Sequence, residues 1–223
     1  PEKPVFATHA EERRHRQQRL VAACRAFAVH GLDYGFAGHL TIRDPEHPEL
    51  YWTNPMAVHF AQVKVSNLIL ADHKGRVVEG SYAINRAGFV LHAAVHEAHP
   101  DIVAMCHAHT VYGVAYAALG KPLPPVTQDA CAFFEDHAVI SDEGGKVAVE
   151  EDAGHSFATA FKGVKAAIHQ NHGLITASRH SIEAAAFWFI HLPHVGEGKI
   201  ERGVGALKYP HVVLGVVAIF MYV

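Results

Sequence analysis

Hydrophobic and polar positions along this chain change period several times, and each change marks an element. From His9 to about Val29, Leu20, Val21, Cys24, Phe27 and Ala28 recur at helical spacing, and Glu11, Glu12, Arg13, Arg14 and Arg16 crowd the first turns. The pattern predicts an amphipathic opening helix ended by Gly31. Gly38 to Arg43 alternate as a strand does, Asp44-Pro45-Glu46-His47-Pro48 turns the chain, and Leu50-Tyr51-Trp52-Thr53 returns to complete a hairpin. A second hairpin joins Leu68-Ile69-Leu70-Ala71 to Val77-Val78-Glu79-Gly80 through Asp72-His73-Lys74-Gly75. The spacing then predicts a helix over Phe89 to Ala98 closed by Pro100, and a buried strand over Ile102 to His109. Helices over Val111 to Leu119 and near Glu150 to Phe161, a strand over Ala166 to His169 and a helix over Ser181 to Ile190 follow. Helix and strand therefore alternate, with no internal repeat.

A length of 223 residues admits one large domain or two small ones, and a single domain over residues 1–223 is the simpler reading. Half the residues are hydrophobic and 18% are charged, as in an ordinary soluble globular protein. A net charge of -3 leaves no basic stripe for displacing counterions, so no nucleic-acid partner is expected. The final apolar run, Val212 to Val223, is too short to span a bilayer as a helix; it suits a buried strand or an oligomer contact, and no membrane partner is expected. Residues Pro1 to Arg19 carry charges throughout, which points away from a secretory signal. Cys24, Cys106 and Cys131 are widely spaced in apolar contexts and suggest buried reduced thiols in a cytoplasmic protein.

Histidine is the compositional outlier, with 20 residues, so spacing must sort the candidates. His107-Ala108-His109 closes the apolar run Ile102 to Cys106, and side chains two apart on a strand share a face and can offer two imidazoles to one ion. His172, in Gln170-Asn171-His172-Gly173, supplies a third from elsewhere in the fold. Ligation competes here with ordinary core or surface roles, because such pairs arise readily in a histidine-rich chain. His92 and His96 stand four apart, as in a metalloprotease helix, but the required glutamate is Ala93; beside Glu97 and His99 they are expected to form a polar stripe on a solvated helix face. Glycine-rich nucleotide loops and a serine nucleophile elbow are missing from the sequence, which excludes those chemistries.

The order Gly38-His39-Leu40-Thr41-Ile42-Arg43, Asn54-Pro55, Val78-Glu79-Gly80, His96 through Pro100-Asp101, His107-Ala108-His109 and Asn171-His172-Gly173 resembles the class II aldolase/adducin family. The resemblance runs from about Arg13 to Ile190, and within the family the pattern looks most like the fungal adducin-domain proteins. It implies an α/β fold, a three-layer α/β/α domain with a central, largely antiparallel sheet. It also implies a homo-oligomer, usually a tetramer, with sites at subunit contacts. Zinc or a similar ion would be held by His107, His109 and His172; imidazole donors suit Zn2+ and leave Fe2+ or another divalent transition metal open.

Departures from the family pattern narrow the chemistry. Family aldolases carry a carboxylate where this chain has Gly88, leaving the ion's charge uncompensated and its Lewis acidity greater. Positions that bind phosphate in relatives fall here on His39, Met56-Ala57 and Arg86-Ala87, so a standard sugar phosphate is a poor fit. His39, Asn54 and Arg86 become the substrate-binding candidates, with Arg86 able to fork onto a carboxylate or phosphate, against an alternative as an exposed residue at a helix start. Phe89, Phe133, Phe134 and Tyr112 would suit an apolar or aromatic small-molecule substrate, although each also suits the core. The implied reaction is metal-dependent lyase chemistry of the aldolase, decarboxylase or epimerase type. A small hydroxy- or oxo-acid would react through a metal-stabilised enolate. Asp129, then Glu135 or Asp136, are the candidate bases and Tyr112 the candidate acid. Two alternatives stay open: a non-haem iron oxygenase acting on an aromatic 2-oxo acid, and a non-enzymatic adducin-like binding module. Residues 191–223, with Pro193 and Gly196, Gly198, Gly203 and Gly205, form an atypical C-terminal segment where relatives continue a long helix.

Overall fold

The computed structural model describes residues 4–34, 38–141 and 151–192. Helix α1, His9–Val29, starts where Thr8 accepts a hydrogen bond from the Glu11 amide, and ends before Gly31 at φ 65°. The first predicted hairpin is β1, His39–Arg43, with β2, Leu50–Thr53; the second is β3, Ile69–Asp72, with β4, Val77–Glu79. Helix α2, Arg86–Ala98, begins three residues before the expected Phe89, because the Asn85 side chain caps it by accepting from the Gly88 amide at 3.5 Å. Then come β5, Ala104–Ala108, α3, Val111–Ala117, the single-turn α4, Gln128–Cys131, β6, His137–Ile140, and α5, Glu151–Ala160. Strands β7, Ala166–His169, and β8, Gly173–Ser178, complete the sheet, and residues 182–192 are helical. Three of these elements, α4, β6 and β8, were not visible in the periodicity. Pro193, the later glycines and the run Val212 to Val223 lie outside the described residues.

The eight strands form one mixed sheet in the order β4-β3-β2-β1-β5-β8-β7-β6. Every pairing is antiparallel except β6 with β7 at the edge. Alternation assigns the two faces. Leu40, Ile42, Ala104, Cys106 and Leu174 pack with Leu20, Cys24 and Phe27 of α1 and with Ile182 and Phe189. Met105, Ile175 and Ala177 pack instead with Leu91 and Val95 of α2 and Phe157 of α5. Helices thus cover both faces of the sheet, and among the described residues none is long and apolar enough to cross a membrane.

One polar cluster ties α1 to the first hairpin. Asp44 is 1% exposed, and its carboxylate accepts from Arg13 Nε at 2.6 Å and Nη2 at 2.9 Å, from Trp52 Nε1 at 2.8 Å, and from the Glu46 and His47 amides at 3.0 Å each. Burial opposes its charge, but the bonds from Arg13, His47 and Trp52 outweigh that and hold the carboxyl well below its usual range. Asp44→Ala should therefore cost about 3 kcal/mol in urea unfolding, since it strands the indole N–H and the guanidinium. A cost below about 1 kcal/mol would mean that apolar packing alone seats the hairpin.

The thiols divide. Cys24 and Cys106 are buried as expected, but Cys131, at the end of the short exposed helix α4, is exposed. Its apolar neighbours Ala130 and Phe133 point inward while it points out, a one-residue offset that local composition does not reveal.

Candidate metal centre

The apolar run of β5 lies in the middle of the sheet, and its carboxyl end delivers His107 opposite His39 of β1. Thr110 stops the strand by capping α3, its Oγ1 accepting from the Gly113 amide at 3.0 Å, so His109 sits at the strand-to-helix corner. His172 comes from the turn between β7 and β8, where Asn171 at φ 60° reverses the chain and the His172 amide donates to His169 O at 3.1 Å. Strand β8 pairs with β5, which brings that turn alongside His107 and His109.

The three rings converge. One nitrogen from each of His107, His109 and His172 lies within 4.8 Å of the others, and His109 Nε2 stands 3.2 Å from His172 Nε2. Two nitrogens on a tetrahedral zinc ion with bonds of about 2.0–2.1 Å would be separated by about 3.3 Å, so that pair already has ligand spacing. His107 Nδ1 donates to the Leu174 carbonyl at 2.8 Å, which fixes the tautomer and leaves Nε2 bare. That Nε2 is buried and has no hydrogen-bond partner among the described residues. Burial, reinforced by the neighbouring imidazoles, pushes His107 and His172 well below the usual histidine value, and burial lowers His109 as well. Neutral rings with lone pairs aimed at one point are what a divalent transition metal requires, and the site fits such an ion.

The structure brings His39 to this centre, and among the described residues no carboxylate joins the three-histidine group. His39 is buried, its ring 5.0 Å from that of His107 and 4.2 Å from that of His92. Asn54 is also buried, but both ends of its amide hold backbone, accepting from Leu40 N at 2.9 Å and donating to Gly38 O at 3.3 Å. Arg86 is exposed at the first residue of α2, with its aliphatic stem beside Gly75. Asp129, in the first turn of α4, and Glu135, at φ 56°, are exposed; among the described residues no hydrogen bond or ion pair joins either to the three histidines. Asp136 is engaged by Lys165 Nζ at 2.5 Å. Tyr112, on α3, is half-buried beside Leu123, Leu174 and Leu192.

Two expectations need correction. His92 and His96 do not form a solvated stripe: they are 1% and 0% exposed, because α2 turns that face onto Thr41 and Arg43 of the sheet. Phe89 and Phe133 are spent on packing, the first against Tyr51 and Ala93, the second in the core with Trp188 at its edge, while Phe134 faces solvent. Sequence reasoning also passed over His169, which is buried and stacked 4.7 Å from His172. Its place at the end of an apolar strand, three residues before a candidate ligand, was the available signal.

The family model described as Class II Aldolase and Adducin N-terminal domain matches residues 18–197. The chain belongs to the class II aldolase and adducin family. Within that family it is 45% identical over 188 residues to Decarboxylase NovR of Streptomyces niveus, covering 83% of this chain and 69% of that protein. The same identity over 188 residues links it to a 4-hydroxy-3-prenylphenylpyruvate oxygenase/4-hydroxy-3-prenylbenzoate synthase of Streptomyces roseochromogenus subsp. oscitans, covering 83% of this chain and 67% of that protein. A solved L-fuculose 1-phosphate aldolase from Glaciozyma antarctica PI12 superposes with a TM-score of 0.82 at 42% identity, over 89% of this chain and 77% of that one. Adducin-related proteins of Schizosaccharomyces pombe are among the further matches, in keeping with the resemblance to the fungal branch.

Proposed function

We propose that this family member is a metal-dependent lyase that breaks a C–C bond at C3 of a small 2-oxo acid, so that the electron pair left on C3 passes to the oxo oxygen as an enolate; release of a carboxylate carried on C3 as carbon dioxide is the favoured case. The observation that carries it is the convergence of three neutral imidazoles from β5 and the β7–β8 turn on one point. His107, His109 and His172 would hold the ion, with zinc and ferrous iron the candidates. A divalent ion there would supply Lewis acidity, taking up the negative charge of the enolate oxygen that forms when a bond at C3 breaks. The similarity to a protein named as a decarboxylase supports the reaction class, and Gly88 and the absence of small hydroxyl donors at 86 and 87 support an acid over a sugar phosphate.

The chain's own groups would bind and move protons. Arg86 lies at the start of α2 with a free fork for a carboxylate, and His39 borders the centre. Asp129, Glu135 and Tyr112 remain the proton-transfer candidates, reached from a neighbouring subunit of a homo-oligomer or by the substrate itself. The second reading, oxygen-dependent cleavage of an aromatic 2-oxo acid, is favoured by the equal similarity to the prenylphenylpyruvate oxygenase.

Protein loaded with zinc or with ferrous iron, mixed with 2-oxo acids that carry a carboxylate on C3 and with aryl 2-oxo acids, under nitrogen and then air, separates the readings. Carbon dioxide release without oxygen consumption is expected for the lyase; iron-dependent oxygen uptake would replace it with the oxygenase, and no turnover with either metal would favour a binding module. Asp129→Asn, Glu135→Gln and Tyr112→Phe should each be tested under the productive condition, where loss of the proton-moving group lowers kcat by about 100-fold or more.

A further inference from the structure

A file of buried polar side chains runs behind the metal centre and holds no ion itself. Thr41 Oγ1 lies 2.9 Å from His92 Nδ1 and 3.0 Å from His96 Nε2. His96 Nδ1 lies 3.1 Å from the Ile102 carbonyl, which can only accept, so in the neutral ring Nδ1 carries the proton and Nε2 is bare. Arg43 Nη2 also lies 3.5 Å from His96 Nδ1, but the Ile102 carbonyl is closer to that nitrogen and Nη2 donates to His96 O at 2.6 Å, so the carbonyl decides the tautomer. The single Thr41 hydroxyl proton therefore goes to His96 Nε2, and Thr41 accepts from His92 Nδ1–H. That leaves His92 Nε2 as a buried lone pair with no hydrogen-bond partner among the described residues. One backbone carbonyl sets the direction of the whole file.

The ring packed on His92 is that of His39, and on its other side His39 meets His107. It can stand there only because residue 88 has no side chain: a Cβ would fall 2.3 Å from His39 Cε1 and 2.6 Å from Nδ1. Real carbon contacts are never so short, so any larger residue at 88 must displace the ring. His39 is thus wedged among the α2 backbone, a ring of fixed tautomer and a ligand of the centre.

We propose that Gly88 and the file His96–Thr41–His92 fix the ring of His39, and that His39 is a positioning residue that sets how His107 Nε2 faces the metal centre. This rests on the metal-centre reading above. It assigns to Gly88 a role that helix propensity opposes, since alanine would favour α2.

The test is cobalt(II) titration of the metal-free protein against a competing chelator, with the visible spectrum of the cobalt-loaded form. Thr41→Val should lower cobalt affinity by about 10- to 100-fold and shift the spectrum, while Thr41→Ser, which keeps the hydroxyl, should restore both. Gly88→Ala should have an effect of similar size, and none in a His39→Asn background. If Thr41→Val does not fold, the Gly88–His39 cycle decides alone. Wild-type affinity and spectrum in Gly88→Ala, or an undiminished Gly88→Ala effect when His39 is asparagine, would overturn the positioning role and leave the metal centre standing. A wild-type chain that takes up no cobalt would overturn the centre and this role together.

Discussion

His107→Ala or His109→Ala should reduce the metal content of the purified protein from about one ion per chain to a trace. Each substitution removes one of the three proposed donors, and among the described residues no carboxylate joins the cluster to replace it, Gly88 lying where the family resemblance implies one. Removing a partner that merely orients a ligand costs about 10- to 100-fold in affinity, so loss of the ligand itself should cost at least about 100-fold. The effect should also appear as stability: an ion at about a thousand times its Kd adds about 4 kcal/mol to the native state. Chelation should accordingly lower the wild-type Tm by several degrees and leave that of either variant unmoved. Full metal content by elemental analysis in both variants would remove the three-histidine assignment.

The metal-free protein should lose stability steeply as pH falls below about 6.5, well before its carboxylates titrate. Burial, with the Arg43 charge in second place, lowers His96 to about 3, and burial drives His92 in the same direction. In the unfolded chain both rings take up protons near the ordinary value of about 6.5. Between that value and the folded one the unfolded state binds more protons, so stability rises with pH there; it is complete above about 6.5 and drains away toward pH 3. His96 alone contributes a slope of about 1.4 kcal/mol per pH unit across this window. Urea unfolding at pH 7.5, 6 and 5 measures it, and His96→Gln should flatten the slope by one proton. A wild-type stability that is level from pH 7.5 to 5 would mean that these rings are not buried in the neutral form.

Most of the elements that build the centre were legible from apolar runs and the turn and cap residues that bound them. The five buried residues of β5, the two hairpins and α1 lie where apolar spacing placed them. The three-histidine cluster was legible as well, since a pair two apart on a strand and a turn histidine beside glycine are local signals. The buried half of α2 was not. His39, Thr41 and Arg43 alternate with Leu40 and Ile42, which describes a strand with one wet face. Here that face is covered by a helix whose own polar residues satisfy it, through His92, His96 and the Ile102 carbonyl. Two polar stripes facing each other have the same pattern as two stripes facing water, and only tertiary pairing separates them. Strand β8 escaped because Gly173, Thr176 and Ser178 interrupt its apolar run, although all six positions of Gly173–Ser178 are buried.

The turn that carries His172 has a further consequence. His109 and His172 are separated by 63 residues, and α3, α4, β6, α5 and β7 all lie between them. An ion shared by the two would therefore act as a clasp on a long loop, bearing part of the entropy that its closure costs. Residence of such a metal and persistence of that side of the sheet would then be coupled, and loss of the ion should loosen the segment between the two histidines.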